Sequence, residues 1–353
     1  MHTTLTSTPA AHDIGNVATL AARLMAIDST SGREGELMEH VHGLLAAQGW
    51  RVERIPVSDG RFDVFAACGN VPFVTLSTHL DTVPPYLAPR FAADTLWGRG
   101  ACDAKGIAAA MICAANRLRD AGLPMALLFV VGEEVSHDGA HAANAWIQSR
   151  RLTSRAIVNG EPTDSTLGAG TKGALRIIIR TAGQAAHSAY PALGHSAIDD
   201  LVELLAELPA LTLPDDPLLG RTTINIGMIT GGVADNVVAP VAEARLMARL
   251  VTPVADVKQL VERWVGGRAS LEWGVAVAPV KLRILPGFET SVAAFATDIP
   301  VLTHWGTPYL FGPGSVHVAH RDDEHARVAE LEAAVGGYER IVRTILESPV
   351  SER

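Results

Sequence analysis

Three short segments of the sequence carry ionisable side chains of the kinds that bind metal ions or transfer protons. They are Ser77–Asp81, Cys102–Gly106 and Gly132–Glu134, and each lies at or just beyond an apolar run typical of a strand. An unpaired charge buried at such a place costs several kcal/mol or shifts its pKa, so fold stability alone does not require these residues. Two divalent metal ions that share one carboxylate would account for all three segments.

His79 and Asp81 are two positions apart in the first segment. Residues i and i+2 of a strand point to the same side, so both side chains can reach one site. A metal-bound imidazole usually donates its second N–H to a carboxylate, a carbonyl or water, and Asp81 is a candidate for that partner. The alternative is a His-Asp pair at a solvated strand end.

Asp103 lies in the segment Gly98–Gly106, between a loop and the start of a predicted helix. Gly98 and Gly100 resemble the start of a nucleotide-binding loop, but Asp103 stands where such a loop has its third glycine. A carboxylate there would repel a phosphate, so this interpretation is rejected. Asp103 is therefore either a helix cap or a carboxylate that bridges two cations.

Glu133 and Glu134 follow an apolar strand, where adjacent carboxylates repel each other unless cations or protons intervene. One could bind a metal while the other takes a proton from water; the alternative is a solvated turn. Glu161 and His320 are weaker candidates individually, and His317 competes with His320. Together, two histidines and three carboxylates suit zinc, with cobalt or manganese as possible substitutes.

The elements that must position these residues alternate between strands and helices up to about residue 167. This order predicts a doubly wound, mainly parallel sheet, in which His79, Glu133 and Glu161 follow strand ends and converge. Ser31–Glu34 is predicted to be a capping box that opens a helix. Residues 174–284 predict a β-α-β-β-α-β order with a small antiparallel sheet, and short strands at 301–304 and 309–311 precede a long terminal helix.

Composition narrows the possible partners. The chain of 353 residues is 48% hydrophobic and has a net charge of −9, with no basic run, which makes nucleic acid a poor candidate. Met1–Ile14 lacks the pattern of a signal peptide, and the longest apolar runs are too short for a membrane span. Three cysteines without a CxxC pair are typical of a reduced protein, so we expect a cytoplasmic location and no membrane partner.

The order of these segments resembles the family of co-catalytic zinc amidohydrolases that includes acetylornithine deacetylase, succinyl-diaminopimelate desuccinylase, aminoacylase and carboxypeptidase G. The resemblance covers about residues 21–345. Its motifs are HLDTVP at 79–84, GRGxxDxKG at 98–106, GEE at 132–134, GEP at 160–162, AHSAYP at 186–191, GG…DN at 231–236 and AHxxDE at 319–324.

The resemblance implies two Zn²⁺ ions, with Asp103 shared between them. One ion would be held by His79, Asp103 and Glu161, and the other by Asp103, Glu134 and His320. Asp81 would support His79, and Glu133 would activate a water molecule that bridges the metals. His187 would reach the partner subunit's site and stabilise the oxyanion. The substrate carboxylate would be bound by Arg249, Asn236, Gly312 and Gly314.

The resemblance also implies an α/β catalytic domain at 1–167 and 286–353, with an inserted ferredoxin-like α+β lid and dimerisation domain at 168–285. The protein would be a homodimer that cleaves an N-acyl amino acid, as acetylornithine or acetyl-lysine deacetylases do. The alternatives are a dipeptidase or carboxypeptidase of the same family and, remotely, a non-catalytic metal-binding scaffold. One departure is that Pro240 lies one residue later after Asn236 than in the family pattern, which affects the expected geometry near Asn236.

Overall fold

The structure of the protein is a computed structural model that describes residues 16–348. Met1–Ile14, for which the sequence predicts no signal peptide, lies outside the described residues. Within residues 16–348, no helix combines the length and the apolarity that a membrane span requires. Cys68, Cys102 and Cys113 are all free thiols.

The described chain contains helices and strands in an alternating order. The helices are α1 Val17–Met25, α2 Gly35–Ala47, α3 Lys105–Asp120, α4 Asp138–Arg150, α5 Ala197–Ala206, α6 Val254–Val265 and α7 Val328–Glu347. The strands are β1 Arg51–Ser58, β2 Arg61–Cys68, β3 Phe73–His79, β4 Arg90–Ala92, β5 Thr95–Trp97, β6 Met125–Val130, β7 Ser154–Asn159, β8 Leu167–Thr171, β9 Gly173–Ala182, β10 Asp215–Asp216, β11 Gly220–Arg221, β12 Thr223–Gly231, β13 Val241–Leu250, β14 Ser270–Val277, β15 Val280–Lys281, β16 Thr290–Ala293, β17 Thr307–Leu310 and β18 His325–Arg327.

The chain divides into two compact units. The first runs through Ala169 and also contains Leu282–Ser291 and the chain from Val301 onward. Its main sheet has the strand order β1-β2-β6-β3-β7-β17. The strands β6, β3, β7 and β17 pair in parallel, and β1 and β2 complete the sheet with antiparallel pairing. The small sheet β18-β5-β4 belongs to the same unit.

The core of the first unit forms on both faces of the main sheet. In β6, Leu127 and Phe129 pack with α1, α2, α3 and α7, whereas Leu128 and Val130 pack on the face that carries α4. The strand is apolar at every position because both of its faces are buried, as expected for a sheet covered by helices on two sides. The predicted doubly wound, mainly parallel catalytic domain is therefore confirmed.

The second unit comprises Gly170–Lys281 and Val292–Pro300. Its antiparallel sheet has the order β12-β13-β9-β14, and α5 and α6 pack on one face of it. In β13, Ala242, Ala244 and Leu246 face these helices, while the alternate residues face away. This arrangement confirms the predicted α+β insertion.

Three local predictions were wrong. The helix after Ser31 is not opened by a capping box: Ser31 Oγ donates to Asp81, and Glu34 has no side-chain capping bond because its carboxylate pairs with Arg61. No strand forms at 301–304. The sequence also predicts the last strand of the β-α-β-β-α-β order at 275–284, whereas the structure has β14, Ser270–Val277, followed by the separate short strand β15, Val280–Lys281. The units also assign residues 292–300 to the second unit, unlike the predicted domain boundaries at 167/168 and 285/286.

Candidate metal centre

The candidate ligands follow the carboxyl ends of four neighbouring parallel strands. His79 is the last residue of β3, Glu134 follows β6, Glu161 follows β7, and His320 lies in the loop after β17. Asp103 precedes α3, close to the same edge of the sheet. Because parallel strands end at one edge, side chains far apart in the sequence meet there.

Asp103 lies at the middle of this group. His79 Nε2 is 3.0 Å from Asp103 Oδ1, and His320 Nε2 is 3.2 Å from Asp103 Oδ2. The second histidine is also 2.9 Å from Glu134 Oε1. The two oxygens of one carboxylate thus face two different imidazoles, which is the arrangement of a carboxylate shared by two cations.

Two overlapping groups of side chains could each hold an ion. In the first, His79, Asp103 and Glu161 offer ligand atoms that all lie within 4.8 Å of one another, and in the second, Asp103, Glu134 and His320 do the same. These are the two ligand sets implied by the family resemblance. His317, the competing histidine, is exposed on the loop and belongs to neither group.

Proton affinity in this group reflects the close approach of unlike charges. Hydrogen bonds to Asp103 and Glu134 raise the pKa of His320 to about 10. Burial opposes charge on His79, but its bonds to Asp103 and Asp81 outweigh burial and raise its pKa. Burial and the charge of Asp103 raise the pKa of Glu134, while its hydrogen bond to His320 acts in the opposite direction.

Asp81 supports the site in a way that its spacing alone does not predict. His79 Nδ1 hydrogen-bonds the backbone carbonyl of Asp81 at 3.0 Å, while the nearer carboxylate oxygen is 3.5 Å away. The carboxylate instead accepts the backbone N–H groups of Glu133 and Glu134 at 3.1 and 3.2 Å, together with the hydroxyl of Ser31 at 2.8 Å. Asp81 therefore orients the imidazole with its main chain and the two-glutamate segment with its side chain.

A partly buried ion network lies on the other side of that segment. Arg61 forms a two-bond pair with Glu34, both at 2.8 Å, and contacts Asp138 at 2.5 Å. Gly132 has a φ of +75°, and a Cβ at this position would lie 2.0 Å from Asp138 Oδ1. Sequence reasoning missed this network, since no short-range spacing connects Glu34, Arg61 and Asp138.

His137 is a second residue that the motifs did not reveal. It is buried at the start of α4, adopts a φ of +56°, and its Nδ1 lies 3.9 Å from Glu133 Oε1. The signal available in the sequence was its position four residues after Glu133, across a tight turn.

The glycine turn expected to bind a substrate carboxylate packs against the same loops. Gly312 donates its N–H to Thr163 Oγ1 at 3.0 Å, and a Cβ there would lie 2.4 Å from the carbonyl oxygen of Glu161. Gly314 has a φ of +79°, and its Cβ would lie 2.6 Å from Cys102 Cβ. Close packing explains both glycines, and their role in substrate binding stays a prediction.

Cys102 and Lys105 flank Asp103 and are both buried. Burial raises the pKa of the Cys102 thiol well above its usual value, which agrees with a packing role rather than a nucleophilic one. Lys105 Nζ donates to the carbonyl of Ile27 at 2.7 Å, and burial lowers its pKa to about 8.

The remaining candidates lie in the second unit. His187 is exposed, and its segment pairs with that of Asn236: Ser188 N–H donates to the Asn236 carbonyl at 3.0 Å, and His187 bridges to Val237. Arg249 is half-buried near the end of β13, opposite Thr223 in β12 and Ala174 in β9. Its side chain faces away from α5 and α6, whose contacts are made by its buried neighbours.

The donor set of the first unit fits two divalent ions. Two imidazoles and three carboxylates converge there, and Asp103 presents one oxygen to each group. Nitrogen and oxygen donors in this ratio suit zinc and also accept cobalt or manganese.

A family model, a curated relative and solved structures were compared with this chain, and all of them are peptidases or parts of peptidases. Residues 169–266 match the model of the M20 family described as "Peptidase dimerisation domain". A probable carboxypeptidase from Aspergillus terreus is 38% identical, over 92% of this chain and 85% of the relative. Among solved structures, a tripeptidase from Staphylococcus aureus aligns with a TM-score of 0.79 at 20% identity, over 95% of this chain and 99% of its own. A dinuclear metal binding peptidase of the M20 family from Bacillus subtilis aligns at 0.68 and 14% identity, over 95% and 99%.

The chain belongs to the M20 family of metallopeptidases. It has the catalytic unit and the inserted dimerisation unit of that family, and it is a metal-dependent enzyme of the class that hydrolyses peptide and related amide bonds.

Proposed function

We propose that this protein is a two-zinc metallopeptidase that cleaves short peptides with a free terminal carboxylate. The observation that carries the proposal is the position of Asp103, whose two oxygens face His79 and His320 at 3.0 and 3.2 Å. A carboxylate in that position is suited to hold two ions side by side, and a two-metal centre is a common basis for hydrolysis of amide bonds.

The ligands of the two ions share the carboxylate of Asp103. One zinc would be held by His79, Asp103 and Glu161, and the other by Asp103, Glu134 and His320. When bound, the ions supply Lewis acidity and lower the pKa of water towards about 7. The chain's own residues keep these ligands in place through Asp81, which accepts the backbone N–H groups of Glu133 and Glu134.

Glu133 is the proposed general base. Its neighbour Glu134 points to the metal group, so the same turn would bring the Glu133 carboxylate next to the attacking water. Glu133 takes a proton from that water and then transfers it to the leaving amine, a contribution typically worth about 100- to 10,000-fold. The partly buried network of Arg61, Glu34 and Asp138 would help to hold this turn in place.

The second unit would complete the site in a homodimer. His187 of the partner subunit would stabilise the developing oxyanion, and Arg249 and Asn236 would bind the substrate's carboxylate with help from the Gly312–Gly314 turn. The match to a peptidase dimerisation domain supports this assembly. Strand β12 lies at the edge of its sheet and exposes Met228 (55%) and Ile229 (56%), a surface suited to a second copy of the chain.

The similarity to known proteins favours the alternative hypothesis, a peptidase, over an N-acyl amino acid deacetylase. The curated relative is called a probable carboxypeptidase and the solved neighbour a tripeptidase, whereas an acetylornithine deacetylase specificity has no such support. We therefore place di- and tripeptides ahead of N-acetylornithine and N-acetyl-lysine as substrates. The proposed cytoplasmic location rests on the sequence alone.

A substrate panel with the zinc-loaded protein tests the proposal. Dipeptides and tripeptides with a free carboxyl terminus should be hydrolysed faster than N-acetylornithine and N-acetyl-lysine. The variant Glu133→Ala should keep its metal and lose nearly all turnover. If only the acetylated amino acids were cleaved, the deacetylase hypothesis would be supported instead. An active Glu133→Ala variant would show that Glu133 is not the general base.

A further inference from the structure

Two charged residues within the metal-binding motifs have no role in the chemistry described above. Arg99 belongs to the segment that carries Asp103, and Glu324 follows His320 by four residues. Both side chains are about 1% exposed, and Arg99 Nη1 lies 2.6 Å from Glu324 Oε2. A buried ion pair adds little to stability because desolvation offsets its attraction, so stability is a weak reason for its presence.

The other oxygen of Glu324 binds the main chain of the Asp103 loop. Oε1 accepts the backbone N–H groups of Gly100, Cys102 and Asp103 at 2.9, 3.3 and 3.3 Å. The Asp103 amide is thus held by a carboxylate that follows His320 in the chain. Three donors on one oxygen define where the loop lies, and through the loop they define where the Asp103 carboxylate lies.

The same two loops are joined by further bonds. Gly98 N–H donates to the backbone carbonyl of Glu324 at 3.0 Å, and Arg99 Nη1 donates to the carbonyl of Arg321 at 3.1 Å. His320 itself has a φ of +65°, a backbone conformation that residues other than glycine rarely adopt. Such a backbone persists only when its surroundings hold it, and the bonds around Glu324 and Arg99 provide that support.

We propose that Glu324, together with Arg99, is a positioning residue that fixes His320 relative to Asp103 and so sets the affinity of the ion held by Asp103, Glu134 and His320. The ion held by His79, Asp103 and Glu161 depends on it less, because His79 and Glu161 follow strands of the main sheet. This inference rests on the two-metal centre of the proposed function and not on its substrate.

The test compares Zn²⁺ binding in the full-length protein and two variants by competition with a chromophoric chelator. In Glu324→Gln the amide oxygen can still accept the backbone N–H groups, but its NH₂ group faces Arg99. Glu324→Ala removes both functions. We expect the zinc held by Asp103, Glu134 and His320 to lose about 10- to 100-fold in affinity in Glu324→Ala and less in Glu324→Gln, with the other zinc nearly unchanged. The visible spectrum of the Co²⁺-substituted protein should change for one ion only.

Asn116→Ala serves as the control for a purely structural effect. Asn116 accepts from Trp50 Nε1 at 2.8 Å and donates to Gln48 at 2.9 Å, without contact to the metal ligands. The Asn116→Ala variant should lose thermal stability and keep the wild-type affinity for both zinc ions. Unchanged zinc binding in both Glu324 variants, or an equal loss of both ions in Glu324→Gln, would overturn the proposal. A wild type that binds two zinc ions but cleaves no peptide would refute the proposed function and leave this test intact.

Discussion

In the first unit, the candidate metal ligands contact one another, and most of them are buried; in the second unit, His187, Asn236 and Arg249 are exposed or half-buried. His79 and Asp103 are hydrogen-bonded to each other, His79 also bonds the backbone carbonyl of Asp81, and the Asp103 N–H donates to the Glu324 carboxylate. The His187 imidazole accepts a hydrogen bond from Ala189 N–H at 3.1 Å and makes a ring-edge contact with Tyr190. The candidate metal ligands therefore already lie close together without a substrate. The three side chains of the second unit are accessible to a substrate or to another subunit.

This contrast has a physical basis. Metal ligands must be fixed in position, because a small displacement changes the coordination, and buried hydrogen bonds supply that precision. Groups that bind a substrate or another subunit must first be accessible to it. Substitutions in the first unit should therefore change metal content, and those in the second unit should change turnover or KM at constant metal content.

The largest effect is expected for Asp103→Asn. The amide has a single acceptor oxygen, so it cannot serve both ions, and turnover should fall to near the uncatalysed background. Metal analysis after gel filtration should find fewer bound ions than in the wild type. Asp120→Asn, an exposed change at the end of α3, is the matched control and should keep both metal and activity. Full activity in Asp103→Asn would refute a shared carboxylate.

His187→Ala should come next, with a loss of about 100- to 1,000-fold in kcat and an unchanged metal content. If His187 acts on the partner's site, mixing His187→Ala subunits with Glu133→Ala subunits creates dimers that have one intact site. Random exchange should then recover about one quarter of the wild-type activity. Recovery of none, with subunit exchange demonstrated by mass spectrometry, would mean that His187 acts within its own chain.

Arg249→Met should raise KM by about 10- to 100-fold, since a charge-assisted bond to the substrate carboxylate is lost. Arg245→Met is the control, because Arg245 lies on the same face of β13 and pairs with Glu243 at 2.7 Å. Substrates whose terminal carboxylate is replaced by an amide should be insensitive to the Arg249 change. An equal loss with acid and amide substrates would remove carboxylate recognition from this residue.

The smallest effect concerns pH. In the metal-free protein the pKa of His320 is raised to about 10, so between about pH 6.5 and 10 a metal ion must displace its proton. Zinc affinity should rise about tenfold per pH unit in this window and level off above it. The same proton stabilises the metal-free fold below about pH 6.5, and that contribution disappears as the pH rises towards 10. Calorimetry in buffers of different ionisation enthalpy measures the proton release, and its absence would contradict the raised pKa.

The sequence predicted most of the fold and the members of the candidate metal centre. Its apolar and β-branched runs predict strands at 51–57, 62–67, 73–78 and 125–131, and each agrees within one residue at either end with β1, β2, β3 or β6. The failures were local: Ser31 and Glu34 have the spacing of a capping box, yet Asp81 and Arg61 bind them instead. A partner distant in the sequence competed successfully for each side chain, and local spacing cannot reveal such a competition.

By itself, the sequence determined which residue types follow the strand ends, because apolar periodicity fixes the strands and polar groups beyond them can only meet at the sheet edge. Only the tertiary structure decided how those groups are held. In the tertiary structure, the Asp81 carboxylate accepts the N–H groups of Glu133 and Glu134, and Arg61 pairs with Glu34 and Asp138. The Glu324 carboxylate accepts the N–H of Asp103. The physical reason is that hydrogen bonds depend on distances of tenths of an ångström between segments up to 225 residues apart, and chain packing alone sets those distances.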